Sequence, residues 1–244
     1  IDMDDLRSTF AYVSSVEHRL KSAAALLGIS ENTLRTTLTE SGIEVRRANQ
    51  ENPNAPAVRL FDIQTIFAIA AYRRAKKLTK GPEGKKPVVI AVEIIKGGTG
   101  KTTTTCEVAV QLQLQGLKVM VIDIDIQANL TQLMGYESDL SSDDAENFGL
   151  TQDAIVNGTF STICSQILDR KARPVDAGTV IKYPFGPFGP ALIPSDTYFG
   201  DLESAIVSSG GPRELAFQRF FNESTAGRIP GLNVNDFDVV LFDC

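Results

Sequence analysis

The sequence predicts an α/β fold, a mostly parallel sheet flanked by helices, preceded by a smaller α-helical domain. From residue 87 onward short apolar runs alternate with helical segments, the pattern of parallel strands joined by helical crossovers. A glycine-rich stretch, Gly97-Gly98-Thr99-Gly100, lies between a predicted strand and a predicted helix. Before residue 87 the apolar residues instead recur at helical spacing around a glycine break.

With 244 residues, 43% hydrophobic and 22% charged, the chain is large enough for one big domain or two smaller ones and is not of disordered composition. Its longest apolar runs, Val88 to Ile95 and Val119 to Ile122, fall far short of the roughly 20 residues of a membrane span, and neither stands where a signal peptide would. A cytoplasmic protein without membrane contact is expected. Cys106, Cys164 and Cys244 are widely spaced and the one histidine, His18, is remote from them, which argues against a Cys/His metal cluster, a disulfide framework and a histidine-dependent triad. The net charge of −6 is unevenly spread, with fourteen Lys/Arg and ten Asp/Glu in residues 1–86 against ten and twenty in 87–244. A basic module joined to an acidic one hints at a part that faces nucleic acid. The expected division is a domain over 1–80, a linker over 81–87 marked by Gly81-Pro82-Glu83-Gly84, and a second domain over 88–244.

In the first domain Ala24, Leu27, Ile29, Leu34 and Leu38 suit two short packed helices broken at Gly28. Ser30 is the expected N-cap of the second helix. This helix-turn-helix pattern resembles the winged helix-turn-helix families, with a β-rich wing over Ile43 to Leu60 around Asn52-Pro53-Asn54 and a further helix capped by Asp62. On that resemblance Asn32, Thr33, Arg35 and Thr36 face a DNA major groove, while Arg46, Arg47 and Arg59 meet phosphates. A small helical bundle for protein contacts is the alternative. Arg73, Arg74, Lys76, Lys77, Lys80, Lys85 and Lys86 then form a basic stretch, read either as a DNA-facing linker or as a solvated helix tail.

In the second domain strands are predicted over Val88 to Ile95, Val119 to Ile124 and Ala191 to Pro194, with a final buried strand over Asp238 to Phe242 ending at Asp243. Helices are predicted over Thr102 to Gln115, Leu130 to Met134, Phe199 to Val207 and Arg213 to Asn222. Tyr136 to Gly149 reads as an acidic surface loop, and Lys182 to Pro190, with its P-F-G-P-F-G-P run, as a rigid irregular one. A parallel sheet of this kind continues past such a strand. The sequence is therefore read as lacking the C-terminal part of this domain, and Ile1 in place of Met agrees.

Chemistry concentrates in Lys96-Gly97-Gly98-Thr99-Gly100-Lys101-Thr102-Thr103. Between a strand and a helix, glycines let backbone N–H groups form an anion nest, the helix N-terminus adds partial positive charge, Lys101 reaches β/γ-phosphates and Thr102 ligates Mg²⁺. The ordinary phosphate-loop spacing fails because Ile95 stands where a glycine is required. With Lys96 directly before the paired glycines, the segment resembles the deviant Walker A motif of the ParA/MinD family of P-loop ATPases. Val121 to Leu130, with Asp123 and Asp125, is similar to that family's D-x-D-P-Q-x-N segment, Ile126 standing in for proline. Asp238 to Asp243 resembles Walker B, with Cys244 where the family has threonine, and Ala191-Leu192-Ile193-Pro194-Ser195 resembles a further strand end.

The resemblance, which spans about residues 87–244, implies a P-loop (SIMIBI-type) sheet that binds ATP or ADP with Mg²⁺. It implies that Lys96 reaches across a homodimer to the partner's nucleotide, that Asp125 positions the attacking water, and that Thr102, Asp123 and Asp243 surround the metal. Helix-turn-helix, basic linker and deviant ATPase occur in this order in long ParA proteins of plasmid or chromosome partition. For those the resemblance implies ATP-bound dimers on nucleoid DNA, a ParB-like partner that stimulates hydrolysis, and repression of the partition operon. A repressor using the ATPase fold as a nucleotide sensor and a MinD-type positioning ATPase are the alternatives.

Overall fold

The computed structural model describes residues 16–48, 56–81, 86–93, 98–138, 140–150, 152–168, 175–196 and 213–244. These divide into two compact units, each with its own core. The first holds the described residues up to Gly81 together with Val110–Leu117 and Phe185–Gly189; the second holds the rest.

In the first unit, helices α1 (Leu20–Leu26) and α2 (Glu31–Ser41) are joined through Gly28, whose φ of +63° favours glycine at this turn. The Ser30 hydroxyl accepts from Thr33 N at 3.1 Å, satisfying an N–H that a helix start leaves orphaned. Strands β1 (His18–Arg19), β2 (Arg46–Ala48) and β3 (Val58–Phe61) form an antiparallel sheet in the order β1-β3-β2. Helix α3 (Ile63–Ala75) follows, Asp62 accepting from Thr65 N at 2.6 Å. Leu27, Leu34, Phe61, Ile66 and Phe67 are buried together with Leu114, and Val110 and Phe185 pack against them. Helices thus stand at the expected positions, strands β2 and β3 overlap the expected β-rich span Ile43 to Leu60, and β1 is an addition the sequence did not suggest. Asn52, Pro53 and Asn54 lie outside the described residues, as do most of the expected linker residues, 82–85.

The second unit is built on a parallel sheet of β4 (Val88–Val92), β5 (Val119–Asp123), β6 (Ala191–Ile193) and β7 (Val239–Asp243) in the order β4-β7-β5-β6. Parallel neighbours need crossovers, here supplied by α4 (Lys101–Leu114), α5 (Asn129–Leu133), α6 (Ser142–Asn147), α7 (Phe160–Leu168), α8 (Ala177–Val180) and α9 (Arg213–Thr225). Every residue of β5, β6 and β7 is buried, as apolar runs in a covered parallel sheet should be. Phe160 is the hub of the core, edge-on to Phe220 at 5.2 Å and to Phe242 at 6.2 Å between ring centres. Strand β4 is an edge, and Val88, Val89 and Ile90 are 48%, 49% and 38% exposed.

The expected acidic loop over 136–149 contains helix α6. Ser141 and Asp144 form a reciprocal capping box, Asp143 and Asp144 favour the positive end of the helix, and Ala145 is fully buried. The expected helix over Phe199 to Val207 falls outside the described residues, as do Ile94 and Ile95 of the first expected strand. Helices α7 and α8 were not anticipated from the sequence.

Candidate functional site

The C-terminal ends of β5 and β7 bring Asp123 and Asp243 side by side, the two being register partners. Ligands of open α/β sheets bind outside such carboxyl ends. Burial pushes the Asp123 carboxyl up to about 6, and the neighbouring Asp243 charge adds to the rise. Opposing hydrogen bonds come from Thr131 and the Asp125 backbone: Asp123 Oδ1 accepts from Asp125 N at 3.0 Å, and Oδ2 accepts from Thr131 N at 2.8 Å and Thr131 Oγ1 at 2.7 Å. Both Asp123 oxygens are therefore occupied by protein donors. These bonds hold the loop that follows β5 to the strand end, where the sequence reading placed Asp123 near a metal.

Asp243 is 1% exposed and accepts from Thr105 Oγ1 at 2.8 Å. The Thr105 hydroxyl also lies 3.0 Å from Lys101 O, but it has one proton, and the carboxylate is both nearer and charged. The last residue of β7 is thereby tied to the start of the second turn of α4. Lys101 opens that helix, Lys101 and Thr102 are half-buried and Thr103 is exposed.

Just before the helix, Gly98 and Gly100 have φ of +72° and +79°, with nothing within 4 Å of where a Cβ would stand. Their need for glycine is conformational, and the space above them is open. Left-handed glycines leading into a helix N-terminus fit a phosphate group. Thr99 stands between them; Lys96 and Gly97 lie outside the described residues. Among the described residues no group of three His, Cys, Asp or Glu could hold a metal ion. A divalent ion here would need oxygens from a nucleotide or water beside Thr102 and Asp243.

Asp125 is half-buried at the turn after β5. Its Oδ1 accepts from Gln127 N at 3.0 Å and its Oδ2 from Asn129 Nδ2 at 2.9 Å. Ile126, where the resemblance has proline, is 52% exposed, and the left-handed residue of the turn is Ala128 at φ +51°. The partners of the motif aspartates that sequence reading missed are Thr105 and Thr131. Thr131 stands eight residues after Asp123, at the helix that follows the motif, whereas Thr105 lies 138 residues from Asp243 and carries no local signal.

In the first unit, Asn32, Thr33, Arg35 and Thr36 form the exposed face of α2, opposite buried Leu34, Thr37 and Leu38. Arg35 is held along its own helix by Asn32 Oδ1 at 3.1 Å and Glu31 Oε2 at 3.3 Å. Arg47 and Arg59 are cross-strand partners in β2 and β3. With Arg19, Lys21 and Arg35 they line an open groove of about 450 Å³ whose acidic member is Glu31. Arg46 is bidentate to Glu17, at 2.8 and 2.6 Å. The structure therefore gathers Arg35, Arg47 and Arg59 at one groove and leaves Arg46 neutralised outside it.

No helix among the described residues is long and apolar enough to cross a membrane. The family model described as AAA domain matches residues 87–244. A provisionally named replication protein A of Rhizobium rhizogenes is 36% identical over 121 residues, covering 46% of this chain and 28% of its own length. A ParA family protein of Chlamydia trachomatis serovar D is 32% identical over 135 residues, covering 55% of this chain and 41% of its own. The chain thus matches less than half of either relative's length. Among solved structures one called Partition Protein is 20% identical with a TM-score of 0.50, covering 99% of this chain and 63% of its own, a likeness of fold. Residues 87–244 make the chain a member of the AAA domain family, of the ParA/MinD-type P-loop ATPases.

Proposed function

We propose that this protein is an ATP-dependent DNA-partition ATPase, acting as a homodimer on nucleoid DNA with a ParB-like partner. The observation that carries the reading is the pairing of Asp123 with Asp243 at adjacent strand ends, with Asp243 tied through Thr105 to α4, the helix that begins directly after two left-handed glycines. Gly97, Gly98, Thr99 and Gly100 cradle phosphate oxygens through their N–H groups, and Lys101 neutralises phosphate charge. Thr102, Thr103 and Asp243 complete the nucleotide and Mg²⁺ site, Asp243 acting mostly through water. When bound, ATP with Mg²⁺ supplies the phosphoryl group whose transfer to water is the reaction. Asp125 orients that water, and Lys96 acts on the partner subunit's nucleotide. The ParA relative, the Partition Protein fold and the basic groove support the partition reading over a MinD-type positioning role.

The groove also favours a second reading, a transcriptional repressor that uses the ATPase fold as a nucleotide sensor. The groove takes the duplex in both readings, with Asn32, Thr33, Arg35 and Thr36 toward base edges and Arg47 and Arg59 toward phosphates. Measuring binding of the intact protein to a fluorescent random-sequence duplex with ATP, ADP or no nucleotide separates the two, with Lys101→Ala as control. Partition predicts ATP-dependent coating of random DNA that Lys101→Ala abolishes, together with hydrolysis stimulated by DNA and partner. Tight binding to its own promoter alone, with no turnover, would favour the repressor.

A further inference from the structure

Resting on the ATPase reading, we propose that Thr131 is a positioning residue for hydrolysis, clamping Asp123 so that the Asp125 loop is held in a single geometry. Thr131 is fully buried: its N–H and its hydroxyl both donate to Asp123 Oδ2, and its hydroxyl oxygen accepts from Ser195 N at 3.0 Å. Because the Ser195 N–H occupies the acceptor side, the Thr131 proton is directed to the carboxylate. The other Asp123 oxygen accepts from Asp125 N, two residues on. One side chain thus links the end of β6, the end of β5 and the loop that carries Asp125. The link bypasses the nucleotide cradle at Gly98 to Thr102, so it acts on the chemical step and leaves affinity alone. Ser195 O in turn accepts from Ser138 Oγ at 2.5 Å, which fixes the outer end of the chain of bonds.

The test compares Thr131→Val, which keeps the shape and removes the donor, with Thr131→Ser, which keeps the donor. In the intact protein, Thr131→Val should lower kcat for ATP hydrolysis by about 10- to 100-fold, as small misplacements of a catalytic group do, with ATP affinity unchanged. Thr131→Ser should restore most of kcat. Amide exchange at residues 124–131 of the nucleotide-free protein should accelerate in the valine variant and not in the serine variant. Wild-type kcat in Thr131→Val, or equal losses in both variants, would overturn the proposal. Should the valine variant not fold, Thr131→Cys, whose thiol is a weak donor, makes the same comparison with serine. A wild-type protein that binds ATP and never hydrolyses it would overturn the ATPase reading instead. The clamp would then stand or fall on the exchange data: unchanged exchange in Thr131→Val would dismiss it, and faster exchange would uphold it.

Discussion

Asp123 and Asp243 are one-to-one partners at the ends of adjacent parallel strands, both almost fully buried. Burial raises the Asp123 carboxyl from 3.8 to about 6, and the neighbouring Asp243 charge adds to the rise. An acid whose folded value lies above its unfolded value stabilises the fold fully below the unfolded value and loses that contribution as pH rises through the folded one. Between pH 5 and pH 7.5 the nucleotide-free protein should therefore lose about 1 kcal/mol of stability from this group, the rest of its contribution being lost already between the unfolded value and pH 5. Carboxyl NMR should place the Asp123 midpoint near 6, and denaturant unfolding should be easier at pH 7.5 than at pH 5.5. A midpoint near 4 would contradict the burial argument.

Thr105 is the side chain that ties β7 to α4. Thr105→Val should leave the buried Asp243 carboxylate without this donor and cost about 1–3 kcal/mol, read from urea unfolding at pH 7.5. Thr105→Ser should recover most of that loss. Equal stability of valine variant and wild type would mean that water replaces the hydroxyl without penalty.

On the proposed function, Lys101 serves binding and Asp125 serves chemistry. Lys101→Ala should weaken ATP binding by about 100-fold or more, since it removes a cation held at the phosphate cradle. Asp125→Ala should keep ATP affinity and lose hydrolysis, trapping a dimer that sedimentation would detect. Removing Asp125 also removes acceptors for Gln127 N and Asn129 Nδ2. Asp125→Asn, which keeps an acceptor oxygen, distinguishes lost chemistry from a loosened turn. Normal turnover in both variants would reject the assignment of Asp125.

Much of this architecture was legible in the sequence because its signals are local. Ser30 and Asp62 cap their helices as their positions before apolar-periodic segments foretold, and the apolar runs of β5 and β7 are buried throughout. What stayed hidden depends on partners far apart in the chain. Asp123 reads as a metal ligand by motif, but its burial and its bonds to Thr131 follow from packing that sequence spacing does not encode. Glu17 and Arg46 meet 29 residues apart, and Thr105 and Asp243 meet 138 apart. Helix α6 was missed for a different reason: its polar residues resemble a loop, and the capping box at Ser141 and Asp144 decides the conformation.

The arginines of the first unit should divide by their neighbours. Arg47 and Arg59 are cross-strand partners lining the basic groove, so as phosphate contacts each alanine variant should weaken DNA binding uniformly and lower the salt slope by about 1. Arg46 is held by both oxygens of Glu17, and a cation already paired on the surface releases few counterions on binding. Arg46→Ala should accordingly leave the slope unchanged, whereas Glu17→Gln should free Arg46 and strengthen binding at low salt. Arg35 differs again, because it lies on the exposed helix face between Asn32 and Glu31. If it reads a base edge, Arg35→Ala should cost about 1–3 kcal/mol on operator DNA and little on random DNA. Fluorescence anisotropy titrations at several salt concentrations would test all five variants. An Arg46→Ala slope change as large as that of Arg47→Ala would show that the Glu17 pair opens when DNA binds.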